Sequence, residues 1–261
     1  MKIARFRHAD SQPAYGVVRN DEILLIEGDI FGQWRETTGR VSLGDVKLLA
    51  PVVPVNTLCI GRNYKAHAEE GGAGVPKAPL LFLKATSCLA GPGDLIVIPE
   101  IAAKQIDFEA ELAVVIGRAA RHVSQAEALS YVLGYTCTND VSSRDCQNSD
   151  GQWCRSKSFD TFGPLGPWIE TDLDPSNVRV QGRLNGHVMQ DANTQSMVFS
   201  VAYLISYLSA GMTLLPGTVL LTGTPAGCGF ARKPPVWLAR GDVYEVDIDG
   251  IGVLRNPVIA E

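Results

Sequence analysis

The sequence predicts an α+β protein in which sheet predominates, with a small β-rich N-terminal domain over residues 1–52 and a larger domain over 53–261. Three observations predict it. Runs of β-branched and aliphatic residues bounded by glycine or proline recur along the chain. Stretches with helical periodicity are few and short. Pro51 and Pro54 interrupt the chain where the two regions meet. A length of 261 residues is enough to bury a sizeable core.

In chain order, Ile3 to Arg7, Tyr15 to Arg19 and Glu22 to Ile26 read as strands, with Asn20-Asp21 as a hairpin turn between the last two. Val46 to Val55 reads as irregular because of its prolines. Tyr64 to Glu70 reads as a short helix, with Asn63 as its cap and Gly71-Gly72 ending it. Leu80 to Lys84, Leu95 to Ile98 and Ala110 to Ile116 follow as strands. Ser124 and Glu127 have the spacing of a capping box, so a helix continues through Ala126 to Val132. Val178 to Leu184 is again strand-like. A helix near Met197 to Leu208 places Val198, Val201, Ala202, Ile205 and Leu208 on one stripe. Thr218 to Thr222 and Val243 to Ile248 complete the strands.

Composition excludes several functions. A formal charge of -5 and a pI near 5.4 argue against nucleic acid as the main partner, since that binding rests on lysine and arginine neutralising phosphates. Met1 to Tyr15 lacks the apolar run of a secretory signal, and Met197 to Leu215 is interrupted by serines, tyrosines and a threonine, too polar for a membrane span. A cytoplasmic protein is expected. The six cysteines include no C-x-x-C pair, which predicts free thiols in a reducing compartment and no metal binding through sulfur.

The most informative stretch is Ile106 to Ile116. As a strand it points Glu109 and Glu111 to one face while Phe108, Ala110, Leu112 and Val114 pack behind. Two carboxylates side by side on an apolar strand call for a proton or a cation between them; the same pattern also fits an edge strand with solvated glutamates. Asp140 stands where the apolar strand from Tyr135 runs into a polar turn, a place suited to a fixed ligand and equally to a helix cap. Three carboxylates without histidine or cysteine select a hard ion, Mg²⁺, Mn²⁺ or Ca²⁺, over zinc. Arg144 and Gln147 share one face of a helical turn beyond Asp140, as His67 and Glu70 do in the earlier helix. Glu70 there can orient the imidazole as a general base, and Gly71-Gly72-Ala73-Gly74 gives the segment the freedom of a lid. Lys157 precedes an aromatic, proline-limited stretch and calls for an anionic partner. Thr224 lies in a glycine-rich turn whose N–H groups can receive a carboxylate, and Pro225 excludes a nucleotide loop.

Taken together, Gly61-Arg62-Asn63-Tyr64 with His67 and Glu70, Phe82-Leu83-Lys84, Glu109 and Glu111, Asn139-Asp140 through Arg144 to Gln147, Lys157, and Leu221 to Pro225 resemble the fumarylacetoacetate hydrolase family from about Cys59 onward. The resemblance implies a mixed β-sandwich roll with few short helices, commonly as a homodimer. It implies that Glu109, Glu111 and Asp140 hold Mg²⁺ or Mn²⁺, with Ca²⁺ able to take the same place. It places Arg62, Tyr64, Lys84, Arg144, Gln147, Lys157, Gly223 and Thr224 against substrate, and His67, Glu70 and Lys157 in catalysis. The expected substrate is a small 2-oxo acid that passes through an enolate. The expected reaction is hydrolysis of a carbon–carbon bond in an acylpyruvate or fumarylpyruvate. Isomerisation of 2-hydroxyhepta-2,4-diene-1,7-dioate, decarboxylation of oxaloacetate and cleavage of ureidoglycolate use the same residues. A Ca²⁺-stabilised β-rich binding protein is the non-enzymatic alternative.

Overall fold

The computed structural model describes residues 1–261 except Asp10, Ala73 and Ala103. Strands dominate, in two main sheets, and three α-helices are seen among the described residues: α1 (Lys65–Glu70), α2 (Arg144–Asp150) and α3 (Val201–Gly211). The larger, mixed sheet runs from Trp34–Ser42 at one edge through the N-terminal hairpins, then Gly163–Glu170, Val132–Asn139, Ala110–Ile116, Val219–Leu221 and Thr57–Gly61, to Leu80–Lys84 at the other edge. The smaller sheet is His187–Asn193, Arg179–Leu184, Val243–Ile248, Gly252–Ala260 and Ile96–Ile98. The N-terminal strands are continuous with the larger sheet, because Lys2 and Ile3 pair with Glu170 and Ile169. No described helix is long and apolar enough to cross a membrane.

The central strand Ala110–Ile116 is buried on both faces. Ala110, Leu112, Val114 and Ile116 face the smaller sheet and α3, packing with Val180, Tyr244, Val246, Leu204 and Ile205. Ala113 and Val115 point the other way into a second cluster with Cys59, Leu165, Ile169 and Leu221. Glu111 belongs by alternation to this second row, so the apolar strand fixes a carboxylate at the end of a fully packed face.

Several sequence expectations are corrected. Ser124 and Glu127 do interact, side chain to side chain at 2.8 Å, but only a 3₁₀ turn, Ala128–Tyr131, follows. Val132 is drawn into the sheet opposite Ile116, which leaves no room for a helix. The third helix begins at Val201, because Ser200 caps it by accepting from the Tyr203 N–H at 3.3 Å. Asn63 is not a cap; its amide donates to the Phe199 and Thr222 carbonyls and accepts from the Phe199 N–H. Val46–Leu49, expected to be irregular, pairs with the first strand, since its prolines come only afterwards. The strands Trp34–Ser42, Gly163–Glu170, His187–Asn193 and Gly252–Ala260 were not anticipated.

Candidate active site

The ladder between the central strand and Val132–Asn139 opens at one point. Ala110 pairs with Asn139 and Glu111 with Thr138, and beyond the opening Asp107 and Ile106 pair with Ser142 and Ser143 in the same register. Within the opening, Glu109 and Asp140 therefore fall opposite each other, joined by the Asp140 N–H donating to the Glu109 carbonyl at 2.9 Å. Side-chain amides replace the missing ladder bonds, with Asn139 accepting from the Glu109 N–H and Gln190 from the Ala110 N–H, each at 2.9 Å. Residues two apart on a strand and one directly across share a face. Glu109, Glu111 and Asp140 accordingly converge, all buried, with one carboxylate oxygen from each within 4.8 Å of the others.

Like charges this close are tolerated only with compensation. Lys157 Nζ bridges Glu109 Oε2 at 2.8 Å and Asp140 Oδ2 at 2.7 Å. Arg144 Nη2 reaches Glu109 Oε1 at 2.6 Å, and its Nε reaches Asp107 Oδ2 at 2.9 Å. Lys84 Nζ binds Asp140 Oδ1 at 2.6 Å. The cluster thus sets the four carboxylates of Asp107, Glu109, Glu111 and Asp140 against three cations. Glu111 is the carboxylate left over. It accepts from the Gly223 N–H at 2.7 Å and pairs with no cationic side chain among the described residues.

The ionisation of these groups follows from that inventory. Burial pushes the Glu111 carboxyl well above its ordinary value, and the negative charges of Asp140 and Glu109 push it further. Burial acts the same way on Glu109, but Lys157 and Arg144 outweigh it and hold that carboxyl below the usual range. Lys157 is itself held above its ordinary value, the attraction of Asp140 and Glu109 overcoming burial. Glu111, raised in the folded state, stabilises the fold below the ordinary carboxylate range, and that contribution is lost as pH rises through the raised value. Glu109, depressed, contributes above the ordinary range and loses its contribution as pH falls. Calorimetry in chelator should therefore find the melting temperature of the metal-free protein falling between about pH 5 and pH 8, with added Mg²⁺ raising it most at the upper end. A melting temperature that climbs steadily across that range in chelator would contradict this account.

An all-oxygen donor set with one uncompensated buried charge fits a hard divalent cation. The three carboxylates line, or lie directly behind, a cavity of about 410 Å³ whose wall also includes Arg62, His67, Phe82, Gln147, Trp153 and Phe230. Gly61 lets the Trp153 ring close over the strand, because a Cβ there would meet the ring at 2.5 Å. Arg62, in the left-handed region with φ 56°, lies at the mouth with its guanidinium carbon 5.7 Å from the Trp153 ring centre. From α1, His67 also lines the cavity. Its Nδ1 is 2.8 Å from Glu70 Oε1, and Glu70 Oε2 accepts from the Gly227 N–H at 2.8 Å. The lid expected after α1 includes Ala73, which lies outside the described residues.

Arg62, His67, Glu109, Glu111, Arg144, Gln147, Lys157 and Thr224 thus meet around one cavity. Three expected substrate contacts do not line it. Lys84 lies beneath Asp140, and its ammonium donates to Asp140, Val141 and Phe162, which uses all three of its hydrogens. Tyr64 is 1% exposed and occupies the N-cap position of α1. Gly223 points its N–H at Glu111, and a Cβ there would meet that of Asn63 at 2.6 Å. Arg144 does line the cavity, yet most of its hydrogens serve Asp107, Glu109 and Gln147.

Two residues were not singled out from the sequence. Asp107 holds Arg144 in place while accepting from the Gly229 and Phe230 N–H groups; the alternation Asp107, Glu109, Glu111 was a signal for it. Gln190 accepts from Ala110 N–H and Tyr244 OH and donates to Thr224 Oγ1, tying the opened ladder to the Thr224 turn. Nothing near position 190 signals that role.

A β-sandwich roll with a buried carboxylate trio at a polar cavity that a histidine–carboxylate pair also adjoins defines a class of enzymes that act on small molecules and generally use a divalent metal. Comparison with known proteins makes the class specific. Residues 56–259 match the family described as fumarylacetoacetate (FAA) hydrolase C-terminal, and residues 1–51 match the Rv2993c-like N-terminal family. The chain belongs to the fumarylacetoacetate hydrolase family. It is 44% identical over 219 residues to the mitochondrial oxaloacetate tautomerase Fahd2a of Rattus norvegicus, covering 82% of this chain and 70% of that protein. It superimposes at TM-score 0.91 and 40% identity on 5-carboxymethyl-2-hydroxymuconate delta-isomerase from Mycobacterium smegmatis, covering 100% of both chains. Fumarylacetoacetate hydrolase from Exiguobacterium antarcticum matches at TM-score 0.88 and 36% identity, again over 100% of both chains.

Proposed function

We propose that the chain moves a proton at the carbon next to the keto group of a small 2-oxo dicarboxylic acid, interconverting keto and enol or shifting a double bond. The observation that carries this reading is that the Glu109, Glu111 and Asp140 cluster and the His67–Glu70 pair meet at one cavity, lined by Glu109, Glu111 and His67. Those three carboxylates would hold a divalent cation, Mg²⁺ in this reading, which supplies electrophilic stabilisation of the oxyanion as the carbon loses its proton. A cation held there would offset the carboxylate charge left over by Lys84, Arg144 and Lys157 and so favour an anionic substrate.

The chain's own residues do the rest. Glu70 accepts from His67 Nδ1, which leaves Nε2 as the nitrogen able to take a proton. Lys157 spends two hydrogens on Glu109 and Asp140, and the third, with no acceptor among the described residues, suits a substrate oxygen. Arg62 is the one cationic side chain on the cavity wall that no carboxylate pairs among the described residues, and it suits a second, distal carboxylate. The relatives named as an oxaloacetate tautomerase and a 5-carboxymethyl-2-hydroxymuconate isomerase agree with proton transfer on a small acid that carries more than one carboxylate.

Hydrolysis of an acylpyruvate-type bond is a second reading, favoured by the same His67–Glu70 pair, which could direct its proton acceptor at water. Following the enol absorbance of oxaloacetate and of a 2-hydroxydienoate, with product analysis on acetylpyruvate, separates the two. Accelerated enol loss with the substrate's carbon skeleton intact supports proton transfer; cleavage of acetylpyruvate alone would overturn it. Arg62→Ala should raise KM for a dicarboxylic substrate by about 10- to 100-fold, the worth of one charge-assisted hydrogen bond, with kcat changed little. An unchanged KM would remove Arg62 from recognition.

A further inference from the structure

Behind the histidine–glutamate pair the fold assembles a second set of donor atoms of a different chemical kind. Cys228, fully buried, brings Sγ within 3.8 Å of His67 Nδ1, the same nitrogen that lies 2.8 Å from Glu70 Oε1. One donor atom from each of the three residues lies within 4.8 Å of the others. We propose that His67 Nδ1, Glu70 and Cys228 Sγ form an inhibitory site for a borderline or soft divalent ion of the zinc type, separate from the all-carboxylate site.

The donor types point that way. Imidazole nitrogen, thiolate sulfur and one carboxylate oxygen are the ligands zinc takes in tetrahedral sites, whereas Mg²⁺ avoids sulfur. A tetrahedral zinc with ordinary bond lengths holds its nitrogen and sulfur ligands about 3.6 Å apart, close to the observed 3.8 Å. The nitrogen–oxygen pair has to open from 2.8 Å to roughly 3.3 Å, a small side-chain adjustment. Outer partners are already present, because Gln190 Nε2 approaches the sulfur at 3.5 Å and the Gly227 N–H holds the second Glu70 oxygen at 2.8 Å. Burial raises the Cys228 thiol well above its ordinary value, and the charges of Asp107 and Glu109 add to this. The same carboxylates that disfavour a bare thiolate welcome a cation beside it. As the metal–sulfur bond forms, the thiol proton leaves for solvent.

The consequence for catalysis rests on the proton-transfer reading of His67. A metal on Nδ1 displaces the hydrogen bond to Glu70 and confines the remaining ring proton to Nε2, the nitrogen that must be free to accept one. An ion bound here would switch the base off while leaving the carboxylate site filled. The C-x-x-C test applied to the sequence could not see this set, because its members lie at positions 67, 70 and 228 and meet only in the fold.

Co²⁺ titrated into the full-length protein saturated with Mg²⁺ tests the site without reference to turnover. One equivalent should produce the intense near-ultraviolet absorption of a sulfur–cobalt bond. Cys228→Ser should lose that band, and Cys154→Ser, which alters the exposed cysteine, should keep it. Zn²⁺ should displace the cobalt and suppress activity at the same stoichiometry, with Cys228→Ser needing at least about tenfold more zinc for the same fractional inhibition. Absence of the band in the wild type, or its survival in Cys228→Ser, overturns the site. A band without zinc inhibition keeps the ion site but overturns its inhibitory role and the catalytic role given to His67. Should Cys228→Ser fail to fold, zinc-edge X-ray absorption on the wild type decides, since one sulfur at about 2.3 Å supports the site and a shell of nitrogen and oxygen alone overturns it.

Discussion

Glu111→Gln should abolish tight Mg²⁺ binding and lower turnover about a thousandfold, several kcal/mol of lost oxyanion stabilisation, while the metal-free protein melts no lower than wild type. The unusual half of this expectation is the stability. Glu111 is a buried carboxylate that no cationic side chain contacts in an ion pair among the described residues, and its firm contact is the Gly223 N–H at 2.7 Å. Glutamine keeps an oxygen for that N–H and removes the charge, so folding loses nothing and the repulsion from Asp140 and Glu109 disappears. Glu109 is the contrasting case. It anchors both Lys157 and Arg144, and Glu109→Gln weakens two buried ion pairs at once. Breaking buried pairs from one side costs on the order of 3 kcal/mol, so this variant should lose metal affinity and stability together. Titration calorimetry with Mg²⁺ and melting curves in chelator read both quantities. Unchanged Mg²⁺ affinity in Glu111→Gln would remove Glu111 from the metal site; equal destabilisation of the two variants would refute the charge inventory.

Much of this arrangement was legible because one strand carries it. The alternation from Phe108 to Val114 sets two carboxylates on one side and the core on the other, and the polar turn at Asp140 marks the strand end that delivers the third. The sequence has no means of showing that the partner strand runs in a register that puts Asp140 opposite Glu109, since register is a property of pairing. The position of Lys84 is illegible for a related reason. A buried lysine and a substrate-binding lysine look alike in sequence, and only its three internal acceptors reveal that it supports Asp140 from below. Among the strands, Trp34–Ser42 has little apolar pattern to mark it; its backbone pairs with Glu22–Gly28, and the ion pairs of Arg35 with Glu27, Arg40 with Glu22 and Glu36 with Arg19 are largely exposed additions. Gly163–Glu170 contains Pro164 and Pro167, which normally exclude an interior strand; it enters the sheet through an irregularity in its pairing with Tyr135 and Cys137. The sulfur of Cys228 escaped notice because its neighbours are distant in the chain.

His67→Ala should lower kcat by about 10²- to 10⁴-fold, the usual worth of a positioned general base, and leave Mg²⁺ affinity within about twofold of wild type. The separation follows from where the groups are anchored. The three carboxylates belong to the opened ladder, whereas His67 and Glu70 ride on α1 and are tied to the Gly227 turn. Removing the imidazole therefore leaves the carboxylates and their three cations in place. Glu70 acts through His67 by fixing which nitrogen carries the ring proton, so the two should behave as one unit. Glu70→Gln alone should cost about 10- to 100-fold, and adding it to His67→Ala should cost almost nothing more, because there is no ring left to orient. Steady-state kinetics on the single and double variants, with Mg²⁺ titrations beside them, measure each part. If the two effects multiply instead, Glu70 touches the reaction directly; if His67→Ala keeps wild-type kcat/KM, the base lies elsewhere on the cavity wall, and Lys157, held protonated between Glu109 and Asp140, is not that base.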